Sequence, residues 1–305
     1  MTLRDIPDQF YGVTLENVES LGQPERTKII DSLEHFHFKP AVRIVFDFAQ
    51  PPNPSHYDTL ASEVWPKSSA VLGEILDSDG GINKCDLACY KQRTTAYLDT
   101  LGSHVDIWEV GNEVNGNWLR PHKNSGDAQV IDKESKDLAE KIFAATKLVK
   151  GKGGRTALTL YYNEDCWKFP QDEMFSWAEK YLVNYLEREH PDFKLKENLN
   201  YVLISYYEDD CNDLQPDWPA VFTRLVGLFP NSKIGFGECG AKKQPLKQEE
   251  YLKRYYVEHH QKLSQMFPQK YVGGYFWWFF RRDMVPRVNN GQVNPIWKTF
   301  DGLIP

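Results

Sequence analysis

Val105–Asn115 reads VDIWEVGNEVN. β-Branched, aromatic and other apolar residues dominate its first half, the composition of a buried strand. Gly111 breaks the run, and Asn112-Glu113 falls where a strand gives way to a loop. Lys233–Gly240, KIGFGECG, has the same design: a short strand that delivers Glu238 at its end. Two carboxylates, each at the carboxyl end of its own strand, suit a site that needs one proton donor and one nucleophile.

The rest of the chain fits around these two strands. Phe10–Leu15, Ala41–Phe48, Thr156–Tyr162, Tyr201–Tyr207 and Val272–Phe279 read as strands, and Ser69–Asp77 as a strand or a helix. Apolar spacing near 3.6 predicts helices over Glu25–Phe36, Tyr57–Trp65, Asp86–Leu101, Asp127–Val149, Glu173–Glu189, Trp218–Leu228 and Gln248–Met266. After Met284 the helix signal is weak, so the last helix is expected to be short or missing. Eight strands alternating with helices, without an obvious linker or repeat, predict an α/β fold: one (β/α)8 TIM barrel domain over residues 1–305. A doubly wound sheet would announce itself with a GxGxxG turn after the first strand, and none is present. The GKGG after the fourth long helix is a helix stop, not a phosphate loop.

Composition narrows the partners. A net charge of −7 over 305 residues gives no footprint for nucleic acid or an anionic membrane, and no window is long and apolar enough to span a bilayer. Aromatic residues are the informative excess, with nine Trp, 16 Tyr and 17 Phe. Most serve the core, but several follow strand ends, where sugar faces could stack on them. Cys85 and Cys89 are expected as free thiols on one helix face. Cys166 and Cys211 follow consecutive strands, which leaves a disulfide open. The amino terminus lacks an apolar signal segment; a cytoplasmic home is the default, and secretion the alternative for a trimmed chain. No His/Cys/Asp cluster has metal-ligand spacing, and no GxSxG elbow is present, so no metal or organic cofactor is expected.

Residues at the carboxyl ends of barrel strands carry the chemistry. Here these are Arg43, Asn112, Glu113, Tyr162, Asn163, Tyr206, Tyr207, Glu238, Trp277 and Trp278. Strand alternation would send Asn112 and Glu113 to opposite faces; both reach one site only if the strand bulges or ends, as Gly111 allows. Arg43 sits inside an apolar run and needs a partner, either a site carboxylate or an ion pair with Asp47 or Glu16. Glu109, Glu164, Asp165, Glu208 and Asp209 read as solvated or structural, with Glu164 the one that could touch substrate. Trp118, in the loop after Glu113, could stack a sugar or serve an interface.

The Asn-Glu pair ending strand four, the lone Glu ending strand seven and the GYFWW run of strand eight resemble clan A of the retaining glycoside hydrolases. The resemblance implies a barrel that cleaves β-linked sugars by double displacement. It assigns the acid/base to Glu113, the nucleophile to Glu238, a sugar 2-hydroxyl contact to Asn112 and support of the nucleophile to Arg43. It also assigns a hydrogen bond on the nucleophile to Tyr207 and the floor of the sugar subsite to Trp278. Strand six departs from the common His-x-Tyr: the chain has Ser205-Tyr206-Tyr207, and offset alone favours Tyr207. Tyr162, Asn163 and Trp118 complete the expected substrate contacts. The expected partner is an oligosaccharide or polysaccharide, with no assignment of oligomeric state. A barrel that binds carbohydrate without cleaving it, and a transglycosylase, are the alternatives.

Overall fold

A computed structural model describes residues 4–79, 81–164, 166 and 173–305. Eight parallel strands close on themselves in sequence order, β8 pairing back to β1. They are β1 (Phe10–Leu15), β2 (Ala41–Val45), β3 (Ala70–Glu74), β4 (Ile107–Gly111), β5 (Arg155–Tyr161), β6 (Tyr201–Ser205), β7 (Lys233–Gly240) and β8 (Tyr271–Trp278). Ser69–Asp77 thus resolves as a short strand followed by a loop, not as a helix.

Alternation within the strands splits the core in two. Ala41, Ala70, Leu72, Ile107, Ala157, Leu203 and Phe276 form one cluster inside the barrel. Their neighbours Val42, Val71, Trp108, Leu158, Val202 and Phe236 belong to the larger cluster that includes the helices. Two residues further along β2, β3, β4 and β5 the inward parity brings Arg43, Glu74, Glu109 and Thr159, all fully buried. A polar layer therefore rests on an apolar plug, below the carboxyl-end mouth. At Gly274 in β8 the backbone takes φ +84°, and a Cβ would lie 2.2 Å from the Phe236 carbonyl oxygen. Only glycine lets β8 approach β7 this closely.

Helices fill the connections near the expected ranges, among them Leu87–Leu101 and Ala128–Gly151, each capped by the preceding Asp side chain. The final helix is short but present, Pro295–Leu303, capped by Asn294 with Pro at its first position. Its Trp297 stacks on Phe36 at 4.7 Å and 9°, which supplies tertiary burial that the weak local signal lacks. Among the described residues no helix is long and apolar enough to cross a membrane. The cysteines correct one expectation. Cys85 and Cys89 form a disulfide and are not free thiols, because Cys85 precedes the cap residue Asp86 and lies 5.3 Å from Cys89 between Cα atoms. Cys166–Cys211 is the second disulfide, joining the segments after β5 and β6, and Cys239 is free and buried.

Candidate active site

A cleft of about 410 Å³ opens at the carboxyl ends of the strands and is lined by Glu113, Glu238, Trp118, Tyr161, Tyr207 and Trp278, with Glu16, Asp77, Ser78, Asp79, Asp210 and Lys242. Both strand-end carboxylates reach it. The β4 ladder shifts register between Glu109 and Gly111, the strand ends at Gly111, and Glu113 adopts φ +46°. A left-handed conformation costs a non-glycine residue about 1–3 kcal/mol. It breaks the alternation, so Asn112 and Glu113 need not face opposite ways. A Cβ on Gly111 would meet Ile142 and Val114 at 2.3 and 2.6 Å, so the break is sterically reserved for glycine.

Arg43 organises the floor. Its Nη1 donates to Glu238 Oε2 at 3.0 Å, its Nε to Glu109 Oε2 at 2.7 Å and its Nη2 to Glu109 Oε1 at 3.3 Å. Glu74 Oε2 also lies 2.9 Å from Nη2, but without hydrogen-bond alignment. The alternative partners, Asp47 and Glu16, are not the ones used; Asp47 instead bonds the Tyr57 hydroxyl. One buried cation facing three buried carboxyl groups cannot match three charges. Burial pushes Glu74 well above the ordinary carboxylate range, so its charged form is the one disfavoured there.

Donor chemistry separates the two cleft carboxylates. Glu238 receives the Arg43 guanidinium and the Tyr207 hydroxyl. Glu113 receives two neutral hydroxyls, Ser205 Oγ at 2.6 Å on Oε1 and Ser78 Oγ at 3.1 Å on Oε2. Burial raises both groups, and the charge of Glu113 raises Glu238 further, to about 8, against the pull of Arg43 and Tyr207. Two such neighbours titrate as a unit that holds one proton over an intermediate pH range. With the cation on Glu238, that proton is best placed on Glu113.

The other anticipated residues divide. Trp118 and Trp278 line the cleft, and the Arg43 guanidinium lies 5.8 Å from the Trp278 ring centre. Trp277 is buried and donates to Asp283. Tyr206 turns away, bonding the Leu214 carbonyl. Asn112 is buried, and its Nδ2 donates to Asp77. Tyr162 is a correction: it packs on Tyr206 and Trp218, while Tyr161, one residue earlier, takes its place at the cleft and meets Trp118 edge-on at 5.2 Å. Asn163 is also absent from the lining, its Oδ1 accepting from the Met174 amide. Glu164 accepts from the Phe175 amide and pairs with Arg224, not with the cleft. Asp165 lies outside the described residues. Asp77, Ser78, Ser205 and Lys242 were not anticipated, although Ser205 holds the position of the common strand-six His and could have been flagged. Among the described residues, the grouping with metal-ligand proximity is Asp31, Glu34 and His35, on and just beyond the first helix, outside the cleft.

No family model and no curated protein matches the chain. Solved structures do. A family 1 β-glucosidase from Thermotoga maritima superposes with TM-score 0.61 at 12% identity over 91% of this chain and 90% of that one. The β-glucosidase from Thermotoga maritima in complex with cyclophellitol gives 0.61 at 11% identity over 90% and 89%. A crystal structure of a β-glycosidase gives 0.57 at 12% over 89% and 86%. At such identities the likeness is one of fold, and it covers nearly the whole barrel.

Proposed function

We propose that the chain is a single-domain retaining glycoside hydrolase that cleaves β-linked oligo- or polysaccharide. The observation that carries the reading is the asymmetric holding of two carboxyl groups in one cleft: Glu238 by a guanidinium and a phenol, Glu113 by two serine hydroxyls. Glu238, the better-stabilised anion, attacks the anomeric carbon while Glu113 gives its proton to the departing glycosidic oxygen. Glu113, now ionised, takes a proton from water, and the hydroxide released displaces Glu238 from the sugar. The fold shared with β-glucosidases is consistent with this chemistry, though fold alone does not carry it. Trp118, Tyr161 and Trp278 offer aromatic faces for sugars on either side of the scissile bond. No step needs a metal or an organic cofactor.

The test is a panel of β-glycans assayed with the wild type, Glu113→Gln and Glu238→Gln. Glu238→Gln should abolish turnover on every substrate. Glu113→Gln should keep activity on aryl glycosides whose leaving group needs no proton, and azide should restore its second step. NMR of the first product should show the anomeric configuration kept. Full activity of either variant on natural glycan refutes the assignment. A wild type that binds glycans without turning any over would mark a binding barrel instead.

A further inference from the structure

We propose that Asp77 is a positioning residue of the reaction: it takes the Ser78 proton and thereby fixes the catalytic proton on Glu113. The inference deepens the glycosidase reading and rests on it.

The loop after β3 holds a donor that is one proton short. Ser78 places its Oγ 3.1 Å from Glu113 Oε2 and 3.4 Å from Asp77 Oδ1. A hydroxyl has one proton to give, and an ionised carboxylate can only accept. With both carboxyls ionised, one of these two contacts sets lone pair against lone pair. Ser78 is only 3% exposed, which leaves water little room to resolve the conflict. One added proton resolves it: the carboxyl that carries the proton donates to Ser78 Oγ, and Ser78 donates to the other. Asp77 Oδ1 already accepts from Asn112 Nδ2 at 3.3 Å and from the Asp79 amide at 3.2 Å, so a proton on that oxygen would displace a donor. Glu113 Oε2 takes no other hydrogen bond among the described residues. The proton therefore belongs on Glu113, in a chain that runs from Glu113 through Ser78 to Asp77. Once Glu113 has given that proton to the departing oxygen, the Ser78 hydroxyl turns and donates to Oε2, while Asp77 keeps its other two donors.

The surrounding charges leave this chain in place. Burial raises Glu113, and the Asp77 charge raises it further, against the pull of Ser205, Ser78 and Arg43. Arg43 of β2 gives its aligned N–H groups to Glu238 and Glu109, not to Glu113. Glu238 of β7 and Tyr207 after β6 both feel the charge of Glu113. Glu16 after β1 and Glu74 of β3 feel that of Asp77. Of the remaining charged lining, Asp210 pairs with Lys243, and Lys242 lies 5.7 Å from the Tyr207 ring centre.

The pH dependence of kcat/KM on a glycoside with a poor leaving group tests the proposal. Asp77→Asn keeps an oxygen to accept and removes the charge, so Ser78 should turn to Glu113 and stabilise its ionised form. The alkaline limb should move down by about one pH unit, the effect of one hydrogen bond to a charged group. Asp77→Ala, which removes the acceptor outright, should move it the same way. In a Ser78→Ala background the Asp77→Asn shift should shrink by at least about half. An activated aryl glycoside, which needs less help from the acid, should respond less. Carbon-13 NMR titration of the Glu113 carboxyl in Glu238→Gln, identified by its loss in Glu113→Gln, is independent of turnover. Adding Asp77→Asn should lower its midpoint by a similar amount. A limb or midpoint that stays in place or moves up, or a shift of equal size without Ser78, overturns the proposal. If glycosides are cleaved through Glu238 while neither limb nor midpoint moves, this inference alone falls. If no glycoside is turned over, the glycosidase reading falls with it.

Discussion

Ser205→Ala should shift the pH–rate profile at its alkaline side. Ser205 donates to Glu113 Oε1 over 2.6 Å, and such a bond favours the carboxylate over the acid, lowering the pKa of Glu113. A hydrogen bond to a charged group contributes about 1.5–3 kcal/mol, and about 1.4 kcal/mol corresponds to one pKa unit. The bare expectation is a rise of about 1–2 units. Ser78 still holds Oε2, and Glu113 is only half-buried at the cleft wall, so water can take over part of the lost role. The lower end, about one unit, is the working figure. Because Glu113 must be protonated to assist departure, the descending alkaline limb of kcat/KM should move up by that amount. The acid limb, set by the first proton lost from the pair, should move little. The assay is kcat/KM against pH on a glycoside with a poor leaving group, compared with an activated aryl glycoside whose rate should depend less on the acid. An alkaline limb that stays in place or moves down would refute the role given to Ser205 and, with it, the placing of the proton on Glu113.

Charge counting on the barrel floor makes a paired prediction. Glu74→Gln replaces a carboxyl whose charge burial disfavours and which makes no aligned hydrogen bond to Arg43, and it should change stability by less than about 1 kcal/mol. Glu109→Gln removes the anion that takes two guanidinium N–H groups and should cost about 3–5 kcal/mol. Urea denaturation of both variants checks the order, and a reversed order contradicts the assignment. Linkage supplies another. The Glu113–Glu238 pair is raised, Glu238 from an ordinary 4.5 to about 8 by burial and the charge of Glu113, so between these values the folded pair keeps one shared proton that the unfolded chain has released. Its contribution is complete at low pH and is lost as pH rises, by up to about 1.4 kcal/mol per unit. Glu238→Gln should flatten that part of the stability profile, and an unchanged slope would remove the raised carboxyl as its source. The disulfides predict that alkylation in denaturant without reductant labels Cys239 alone, and with reductant all five cysteines. Labelling of Cys166 or Cys211 before reduction would contradict the pairing. Cross-linking across 45 positions contributes about 4 kcal/mol on the chain-entropy account, so Cys211→Ser should lower the midpoint accordingly. Two disulfides also fit an oxidising compartment better than the cytoplasm first expected.

What sequence reasoning reached, and what it missed, follows from the range of each signal. The eight strands and the arrival of Glu113 and Glu238 at strand ends are local facts, written in alternation, helical spacing and the Gly111 break. Tyr207 over Tyr206 needs only parity within one strand, and the offset gave the residue that meets Glu238. Tyr162 failed by one residue because β5 ends at Tyr161, and a strand end placed one residue late swaps the inward and outward faces. The partners of Glu113 and Arg43 were illegible for a different reason. Ser78, Ser205, Glu74 and Glu109 come from three other strands or their loops, and only the register between strands brings them together. In that register Glu74 pairs with both Val45 and Glu109, which sets it and Glu109 side by side in the layer of Arg43. A charge in an apolar run was treated as a signal at Arg43. Glu74 in AVLGEIL and Glu109 in IWEVG are the same signal with the opposite sign. A single buried arginine needs an anion and two buried glutamates need a cation, so the three could have been matched before any register was known. The surplus carboxyl of that match is Glu74, whose charge burial disfavours, and this leaves the guanidinium free to hold Glu238 at the cleft as well as Glu109.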